Sequence, residues 1–517
     1  MSRTTAKTGR KKPTKPVTGK PTHKSAPRGA VERIFGTDGV RAVAGEGPLN
    51  PENVLRLGRA LGRYLQSHSK SKDRPVVLLG VDPRPSADMV GTSMAAGLIA
   101  ECCDVHWPGM MSTPEVAFLT NHGPFAAGVM ITASHNPATD NGIKIFGKDG
   151  GKLPDAVERE FEKLILTSGG DAEPDKSRFG WLKLAREKHY EEFIVKTFRA
   201  SFASLGKKPL RVVFDCAFGA RSIDLQVVSR LARSVALGRT NPEFRVGASM
   251  KTGGDHADNK LEIVFLNAAS PNQPDNHHLI NDNVGSLYPE ACAEAVKKMK
   301  ADLGVCFDGD GDRCILIDEN GGIRDGDYML ALLAADLHAR NKLAKNTVIS
   351  TVMANYGLQE AMEALGAKLV RTDVGDRYVV EAMKQAGAVL GGEPSGHVII
   401  NDEGHPFGDG LYTALRIIEV MLESGKPLSA MCESLTKYPQ LLTNVKVSSK
   451  PPLGTLSKFQ KVLARAQEKL EGVGRAVVRY SGTEPVLRVM VEGKDSKLVE
   501  SVARNLADEA AKALGVK

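Results

Sequence analysis

The run Phe307-Asp308-Gly309-Asp310-Gly311-Asp312-Arg313 constrains this chain more than any other stretch. Apolar residues precede it (Leu303–Phe307) and follow it (Cys314–Ile317), which predicts a loop between two buried strands. Three carboxylates this close repel one another unless a cation lies among them, and the glycines let the backbone curl around one point. Oxygen ligands alone select a hard ion, Mg²⁺ before Ca²⁺ or Mn²⁺. An ion held by one short loop keeps open positions, which phosphate oxygens commonly fill.

Two other interpretations of this loop, a calcium site and a solvated turn, agree less well with its sequence. Asp308, Asp310, Asp312 and Glu319 fall at positions one, three, five and twelve of a calcium EF-hand, but position six is Arg313 where glycine is required. The flanking segments also have the pattern of strands, not helices. A solvated acidic turn does not suit flanks this apolar, so the metal loop is the favoured interpretation.

Positive charge is concentrated at one end of the chain. The net charge is +8, yet residues 1–30 contain six Lys, three Arg and no acidic residue. The remainder is therefore close to neutral, which argues against a nucleic-acid-binding body. Residues 1–30 have little to bury and are predicted to be a disordered basic tail, with weak polyanion binding as the alternative to a dispensable segment.

Cysteine usage and hydropathy indicate where the protein works. The seven cysteines form no metal-ligand spacing, and the odd, scattered set is typical of reduced thiols. No apolar run approaches the length of a membrane span. We therefore expect a cytoplasmic protein with no membrane partner.

Strand and helix patterns alternate along most of the chain. For example, Asn50 and Pro51 predict a helix start, and Val76–Val81 reads as a buried strand. A restart near residue 180 and another near Gly326 repeat the pattern. Such alternation predicts α/β domains, with sites in loops at the carboxyl ends of strands. The polar stretch 234–259 is predicted to be a surface insertion.

Three further loops carry candidate chemistry. In Thr132–Pro137, Ser134 is suited either to carry a phosphoryl group or to cap a turn, and its neighbour His135 is not expected to pair with it. Lys144, in an apolar strand, is either a snorkelling lysine or an acid/base group. Gly391–His397 suits polyhydroxyl recognition or is a decorated turn. Arg479–Arg488 combines arginines and hydroxyls as a phosphate cradle would, although a salt-bridged hairpin looks similar.

The loops Thr132–Pro137, Asp308–Arg313, Gly392–His397 and Arg479–Arg488, in this order, resemble the signature loops of the α-D-phosphohexomutase family. The resemblance covers nearly the whole chain from Arg33 onward. It implies three α/β domains and a smaller C-terminal α+β domain around a central cleft. The expected domains are 31–180 (phosphoserine loop), 181–323 (metal loop), 324–440 (sugar loop) and 441–517 (phosphate loop). Within the family, stretches such as Phe35–Arg41 and Val374–Tyr378 are most similar to the branch that acts on glucosamine phosphate.

The family's activity, migration of a phosphoryl group between O6 and O1 of a hexose, implies roles for individual residues. Ser134 would be the phosphoserine, and its phosphate would join Asp308, Asp310 and Asp312 around one Mg²⁺ per active site. Arg41 and Arg313 would lie beside that phosphate, and Lys144 and His397 would be the acid and base. The expected sugar and phosphate ligands are Glu393, Ser395, Arg479, Ser481, Gly482, Thr483 and Arg488. Pro394 and Tyr480 depart from the family pattern and bear on which sugar is bound.

The resemblance also implies partners. A phosphosugar is the expected substrate, a hexose bisphosphate the expected activator, and a homodimer is left open. A phosphomannomutase/phosphoglucomutase of the same family is the alternative, as is a phosphatase that uses the same metal loop. From a different class, a non-catalytic polyanion-binding protein would reuse the fold through its basic tail. The metal loop and serine together favour the enzymes.

Overall fold

The structure is a computed structural model that describes residues 34–36, 38–69, 71–167, 179–185, 187–201, 210–223, 261–269, 279–402, 404–481 and 485–515. The predicted basic tail (1–30) and the predicted insertion (234–259) lie outside these residues. Among the described segments, no helix combines the length and the apolar character needed to cross a bilayer.

The first sheet carries the predicted phosphoserine loop. Its strands are β1 (Val40–Val43), β2 (Val76–Val81), β3 (Asp104–Met110), β4 (Ala127–Ile131), β5 (Asp140–Gly147) and β6 (Leu182–Lys183), in the order β1-β5-β4-β2-β3-β6. The helices of this region are α1 (Pro51–His68), α2 (Ala87–Ala100), α3 (Thr113–His122) and α4 (Asp155–Thr167). Asn50 Oδ1 accepts the Asn53 N–H, so α1 begins where the sequence predicts. Ser134 lies in the connection from β4 to its antiparallel neighbour β5.

The second sheet presents the acidic loop. Its strands are β7 (Leu210–Asp215), β8 (Leu261–Leu266), β9 (Leu303–Phe307), β10 (Cys314–Asp318) and β11 (Ile323–Arg324), in the order β11-β10-β9-β7-β8. Helices α5 (His189–Ser201) and α6 (Glu290–Met299) belong to this part of the chain. Strands β9 and β10 are fully buried and antiparallel, with Phe307 opposite Cys314. The prediction of a loop between two buried strands is confirmed.

The third and fourth sheets carry the remaining two loops. The third, in the order β13-β12-β14-β15, comprises β12 (Thr347–Thr351), β13 (Lys368–Thr372), β14 (Leu390–Gly392) and β15 (Val398–Ile400). Its helices are α7 (Gly326–Ala339), α8 (Tyr356–Ala364), α9 (Asp376–Ala386), α10 (Gly410–Ser424) and α11 (Leu428–Met431). The fourth is antiparallel, β16 (Gln440–Lys446), β18 (Val486–Gly493) and β17 (Gly474–Tyr480), with helices α12 (Ser457–Leu470) and α13 (Ser496–Ala513). The predicted class, three α/β units and a smaller C-terminal α+β unit, is confirmed.

The apolar cores differ between these units. One continuous buried cluster extends through the first three units and includes Met130 of the first, Phe307 of the second and Leu390 of the third. The fourth unit has a core of its own, built around residues such as Phe459 and Leu506. The first three units are therefore joined by shared apolar packing, whereas the fourth is stabilised mainly by its own cluster.

A buried ion pair also joins the second and third units. The Arg221 guanidinium lies 2.5 Å from Asp409 Oδ1 and donates to Tyr190 Oη at 2.7 Å and to the Gly311 carbonyl at 2.9 Å. Asp409 in turn caps α10 and accepts from Tyr190 at 2.9 Å. Despite burial, Arg221 and then His405 hold the pKa of Asp409 below its ordinary range. The pair therefore supports the acidic loop from behind.

We predict that Arg221→Met lowers the free energy of unfolding by about 3–5 kcal/mol, because it leaves the buried Asp409 carboxylate without its partner. The depressed pKa means that the ionised carboxylate stabilises the fold above the pKa of an unfolded aspartate, about 3.9, and that this contribution is lost as the pH falls below it. Urea unfolding at neutral and acidic pH measures both effects. Arg221→Met/Asp409→Asn is the control and should recover part of the loss at neutral pH; a single variant as stable as wild type contradicts the prediction.

Candidate active site

Ser134 and the acidic loop meet, although 174 positions separate Ser134 from Asp308. Ser134 is fully buried and adopts the left-handed conformation, with φ of 54°. Its hydroxyl donates to Asp308 Oδ2 at 2.8 Å. The predicted nucleophile and the predicted metal ligands therefore form one site, at the junction of the first two sheets.

His135 lies beside Ser134 in space as well as in sequence. Its Nδ1 lies 3.3 Å from Ser134 Oγ, so the two neighbours do come together. The same nitrogen lies 3.0 Å from Arg313 Nη1. Burial, Arg313 and Arg41 lower the pKa of His135 to about 4. The imidazole is therefore neutral and accepts from Arg313, while the Ser134 hydroxyl is directed at a carboxylate.

The three aspartates Asp308, Asp310 and Asp312 are all buried, and each places an oxygen within 4.8 Å of the other two. Burial raises the pKa of Asp308 well above its ordinary value, and Asp312 and Asp310 raise it further. Among the described residues, Asp310 Oδ1 and Asp312 Oδ1 are buried without a hydrogen bond. Concentrated negative charge, oxygen donors alone and two buried oxygens without a hydrogen bond fit a hard divalent cation.

Lys144 contacts this acidic cluster directly. Its ammonium is buried and donates to Asp310 at 2.8 Å and to Asp312 at 2.9 Å. Burial by itself lowers the pKa of Lys144, but Asp310, Asp312 and Asp38 together raise it well above the ordinary value. The lysine is therefore charged and held in place, not snorkelling to solvent.

His397 lies on the other side of Asp312. Its Nδ1 is 3.7 Å from Asp312 Oδ1 and its Nε2 is 3.7 Å from Asp376 Oδ2. These distances are those of ion pairs rather than of hydrogen bonds. Although burial opposes it, the neighbouring carboxylates of Asp312 and Asp376 raise the pKa of His397. Lys144 and His397, the two predicted acid/base residues, thus share one carboxylate.

Three further residues, Asp38, Lys152 and Asp376, take part in these ion pairs, and sequence reasoning did not single them out. Lys152 binds Asp38 and also Asp376, the latter at 2.7 Å, and Asp38 lies 3.6 Å from Lys144. Together with Lys144, Asp312 and His397, they form a closed ring of alternating charges to which each of the first three units contributes. Asp38 lies in Phe35–Arg41 and Asp376 in Val374–Tyr378, the stretches most similar to the branch of the family that acts on glucosamine phosphate. That similarity is the one feature of the sequence that could have pointed to these two residues.

The two predicted arginines lie near Ser134. Arg313 Nε is 4.0 Å from Asp308 and 3.7 Å from Asp312, in addition to its contact with His135. Arg41 donates to the Asn136 side chain at 3.2 Å and pairs with Asp38. Both guanidiniums therefore contact residues that follow Ser134 in its loop, Arg313 at His135 and Arg41 at Asn136.

The predicted sugar loop is packed against the acidic loop's hairpin. Gly396 has φ of 89°, and a Cβ there would lie 2.0 Å from the Cys314 carbonyl oxygen. Glu393 is buried and accepts from the Gly375 amide at 3.1 Å, whereas Ser395 is exposed. Glycine is thus required for the close approach, which sets Glu393 and Ser395 beside the metal loop.

The predicted phosphate cradle is partly described. Arg479 and Arg488 are directly opposite each other on paired strands, and Ser481 is buried at the end of β17. Partial burial, followed by the nearby Arg488, lowers the pKa of Arg479. Two arginines forced together favour an anion between them. Gly482 and Thr483, also predicted to bind phosphate, lie outside the described residues.

Four family models match the chain in the order of its four units. They are the phosphoglucomutase/phosphomannomutase alpha/beta/alpha domains I (residues 32–169), II (261–322) and III (325–438), and the C-terminal domain (442–509). The chain belongs to the phosphoglucomutase/phosphomannomutase family.

Curated relatives within this family are named phosphoglucosamine mutase. The one from Bacillus licheniformis is 42% identical over 479 residues, which cover 92% of this chain and 98% of the relative. The one from Anaeromyxobacter dehalogenans is 40% identical and covers 93% of this chain and 99% of the relative.

Solved structures agree on the fold. A phosphoglucomutase/phosphomannomutase family protein from Burkholderia thailandensis superposes with a TM-score of 0.70 at 23% identity, covering 93% of this chain and 98% of that one. Aspergillus fumigatus N-acetylphosphoglucosamine mutase, solved with GlcNAc-6P and magnesium, gives 0.60 at 18% identity, covering 93% and 96%.

Proposed function

We propose that this protein is a phosphoglucosamine mutase, an isomerase that interconverts glucosamine-6-phosphate and glucosamine-1-phosphate. The observation that carries the proposal is the 2.8 Å contact between Ser134 Oγ and Asp308 Oδ2, which joins a nucleophile to a cation site. Relatives about 40% identical over more than nine-tenths of the chain bear that name. The product would supply synthesis of UDP-N-acetylglucosamine.

Asp308, Asp310 and Asp312 would hold the ion, together with a phosphate oxygen on Ser134. Their donor set, with two buried oxygens that make no hydrogen bond, suits Mg²⁺, one per active site. When bound, the ion would offset the negative charge of the phosphoryl group and polarise it for attack. Lys144 donates to two of these aspartates and keeps their carboxylates oriented.

In the proposed reaction, one phosphoryl group passes from Ser134 to the sugar, and another passes from the sugar back to Ser134. A sugar hydroxyl would attack the phosphorus on Ser134 while its proton passes to a neutral His397 imidazole. The bond to Ser134 Oγ breaks, and the charged Lys144 ammonium would supply the proton that this oxygen takes up. The resulting bisphosphosugar would reorient within the cleft, and the phosphoryl group at its other end would be transferred to Ser134. Arg313 and Arg41, which contact His135 and Asn136 next to Ser134, would neutralise the charge of the transferring group. A free hexose bisphosphate would act as the activator by phosphorylating Ser134.

Substrate positioning falls to the other two loops. Glu393 and Ser395 would bind sugar hydroxyls, and Arg479, Ser481, Gly482, Thr483 and Arg488 would hold the phosphate that does not react. A cradle of bidentate donors can hold the phosphate at either end of the sugar, which reorientation of the bisphosphosugar requires. The fourth unit has a core of its own, so we expect it to move as one body. Its closure over the substrate would exclude water and suppress hydrolysis.

We predict that glucosamine phosphate is the best of three substrates. Glucosamine-6-phosphate, glucose-1-phosphate and mannose-1-phosphate should be assayed side by side with Mg²⁺ and a hexose bisphosphate, and kcat/KM compared. If glucosamine phosphate is the poorest, the enzyme is a phosphomannomutase/phosphoglucomutase of the same family. Release of inorganic phosphate without an isomerised sugar would instead indicate a phosphatase.

A further inference from the structure

The loop that carries Ser134 is held by donors from two different units. On one side, Arg84 donates to the carbonyls of Ser134 at 2.9 Å and of Asn136 at 3.0 Å. On the other, Asn281 Nδ2 donates to the same two carbonyls, at 2.8 and 3.1 Å. The carbonyl oxygens of Ser134 and Asn136 therefore each accept from Arg84 of the first unit and from Asn281 of the second.

Arg84 is rigidly fixed within the first unit. Its side chain is fully buried and its Nε donates to Asp82 Oδ2 at 3.0 Å. Asp82 also accepts from Thr132 Oγ1 at 2.7 Å, which itself accepts the Ser134 amide at 2.8 Å. Arg84 additionally donates to the carbonyls of Pro137 and Asp140. The guanidinium fork therefore fixes the loop at several points, which an ammonium cannot reproduce.

Asn281 is fixed within the second unit. It has φ of 62°, and its amide donates to the Ala217 carbonyl at 2.9 Å. A few residues on, Gly285 donates to Asp215 Oδ2 at 3.1 Å, at the end of β7. The asparagine side chain therefore reaches from the second sheet to the Ser134 loop.

The acidic loop passes through the same contact. A Cβ at Gly309 would lie 2.7 Å from the Ser134 carbonyl oxygen and 2.8 Å from Asn281 Nδ2. Gly309 is flanked by Asp308 and Asp310, so a shift of the Ser134 carbonyl would change the separation between Ser134 and both aspartates. Ser134 is also a non-glycine residue in a left-handed conformation, which costs energy and needs external support.

We propose that Asn281 is a positioning residue which, with Arg84, clamps the Ser134 loop onto the acidic loop and sets the distance from Ser134 Oγ to Asp308. Asn281 does not touch the reacting atoms; it acts through the backbone of Ser134. The inference rests on the proposed mutase function for its kinetic consequence, but its geometric consequence stands alone.

The test compares Asn281→Gly with Asn283→Gly. Both asparagines have positive φ, which glycine tolerates, but Asn283 is exposed and its side chain donates to Asp282 Oδ1. We expect kcat to fall about ten- to a hundredfold in Asn281→Gly, since misplacement by about 1 Å has effects of that size. KM for the sugar phosphate should stay unchanged, because the sugar and phosphate loops are untouched. Asn283→Gly should match wild type.

Two further readouts separate positioning from stability. Uptake of phosphate by Ser134 from a hexose bisphosphate, followed by intact mass, should slow as kcat does. In crystals, Ser134 Oγ and Asp308 Oδ2 should lie farther apart in Asn281→Gly than in Asn283→Gly. Arg84→Lys should act in the same direction, and the double variant should be less than additive, since both residues bind the same carbonyls.

The outcomes are distinguishable. If Asn281→Gly does not fold, the isosteric Asn281→Asp takes its place, because it directs an acceptor at two carbonyls and should show the same losses. The clamp is overturned if the wild-type protein is active and Asn281→Gly does not differ from Asn283→Gly, either in kcat or in the distance from Ser134 Oγ to Asp308 Oδ2 in crystals. A wild-type protein that turns over no hexose phosphate defeats the proposed function, and the crystal comparison then decides the clamp.

Discussion

Ser134→Ala should lower mutase turnover by about 10⁴-fold or more, an effect of the size seen when a covalent nucleophile is removed. Alanine lacks the oxygen that would carry the phosphoryl group, so the bisphosphosugar cannot form. The fold should persist, because Arg84, Asn281 and Thr132 hold the backbone of this residue rather than its hydroxyl. Turnover, thermal unfolding and intact mass measure these consequences.

The matched control for this variant is Ser93→Ala. The Ser93 hydroxyl donates to the Met89 carbonyl within α2, so its removal should leave turnover unaffected. In wild type incubated with a hexose bisphosphate, one phosphate should be found on the tryptic peptide that contains Ser134, and Ser134→Ala should carry none. Undiminished turnover of Ser134→Ala would show that the phosphoryl group is carried elsewhere.

Asp310→Asn should weaken Mg²⁺ binding strongly and lower kcat by about 10²- to 10³-fold, because a bound metal ion contributes several kcal/mol to charge stabilisation. Asp310 Oδ2 is already engaged by Thr113 Oγ1 and Lys144, which leaves the unpartnered Oδ1 for the ion. An amide removes one negative charge and offers at most one oxygen. Titration calorimetry with Mg²⁺ measures the affinity directly, and chelation should abolish wild-type turnover.

Asp318→Asn is the control for that prediction. Asp318 is also buried and lies at the opposite end of β10, where it accepts from the Gly322 amide and binds Arg324. Its substitution should lower stability without changing Mg²⁺ affinity. Equal Mg²⁺ affinity for Asp310→Asn and wild type would exclude Asp310 as a ligand.

Local patterns predicted the elements that present the site. Continuous apolar runs identified β9 and β10, and the alternation of acid and glycine between them identified the metal loop, because these signals depend only on near neighbours in sequence. Asn50 and Pro51 located the start of α1 for the same reason. Residue chemistry alone leaves alternatives at Ser134, Lys144 and His397, and the resemblance of whole loops is what implies a catalytic role for each.

Contacts between distant segments were not available to such reasoning. The salt-bridge ring through Asp38, Lys152 and Asp376 joins residues hundreds of positions apart, and nothing local marks one lysine among many. The contact between Ser134 and His135 was also missed, because side-chain direction depends on the left-handed backbone at Ser134.

The amino-acid sequence by itself determined the α/β class, the four loops and the oxygen-rich composition of the metal loop, since periodicity and residue chemistry are local properties. Only the tertiary structure decided that Ser134 faces Asp308, that Lys144 is held by two carboxylates, and that Arg84 and Asn281 grip the same carbonyls. The physical reason is that these distances depend on how separate sheets pack against one another. Packing is a property of the assembled cores and not of any single segment.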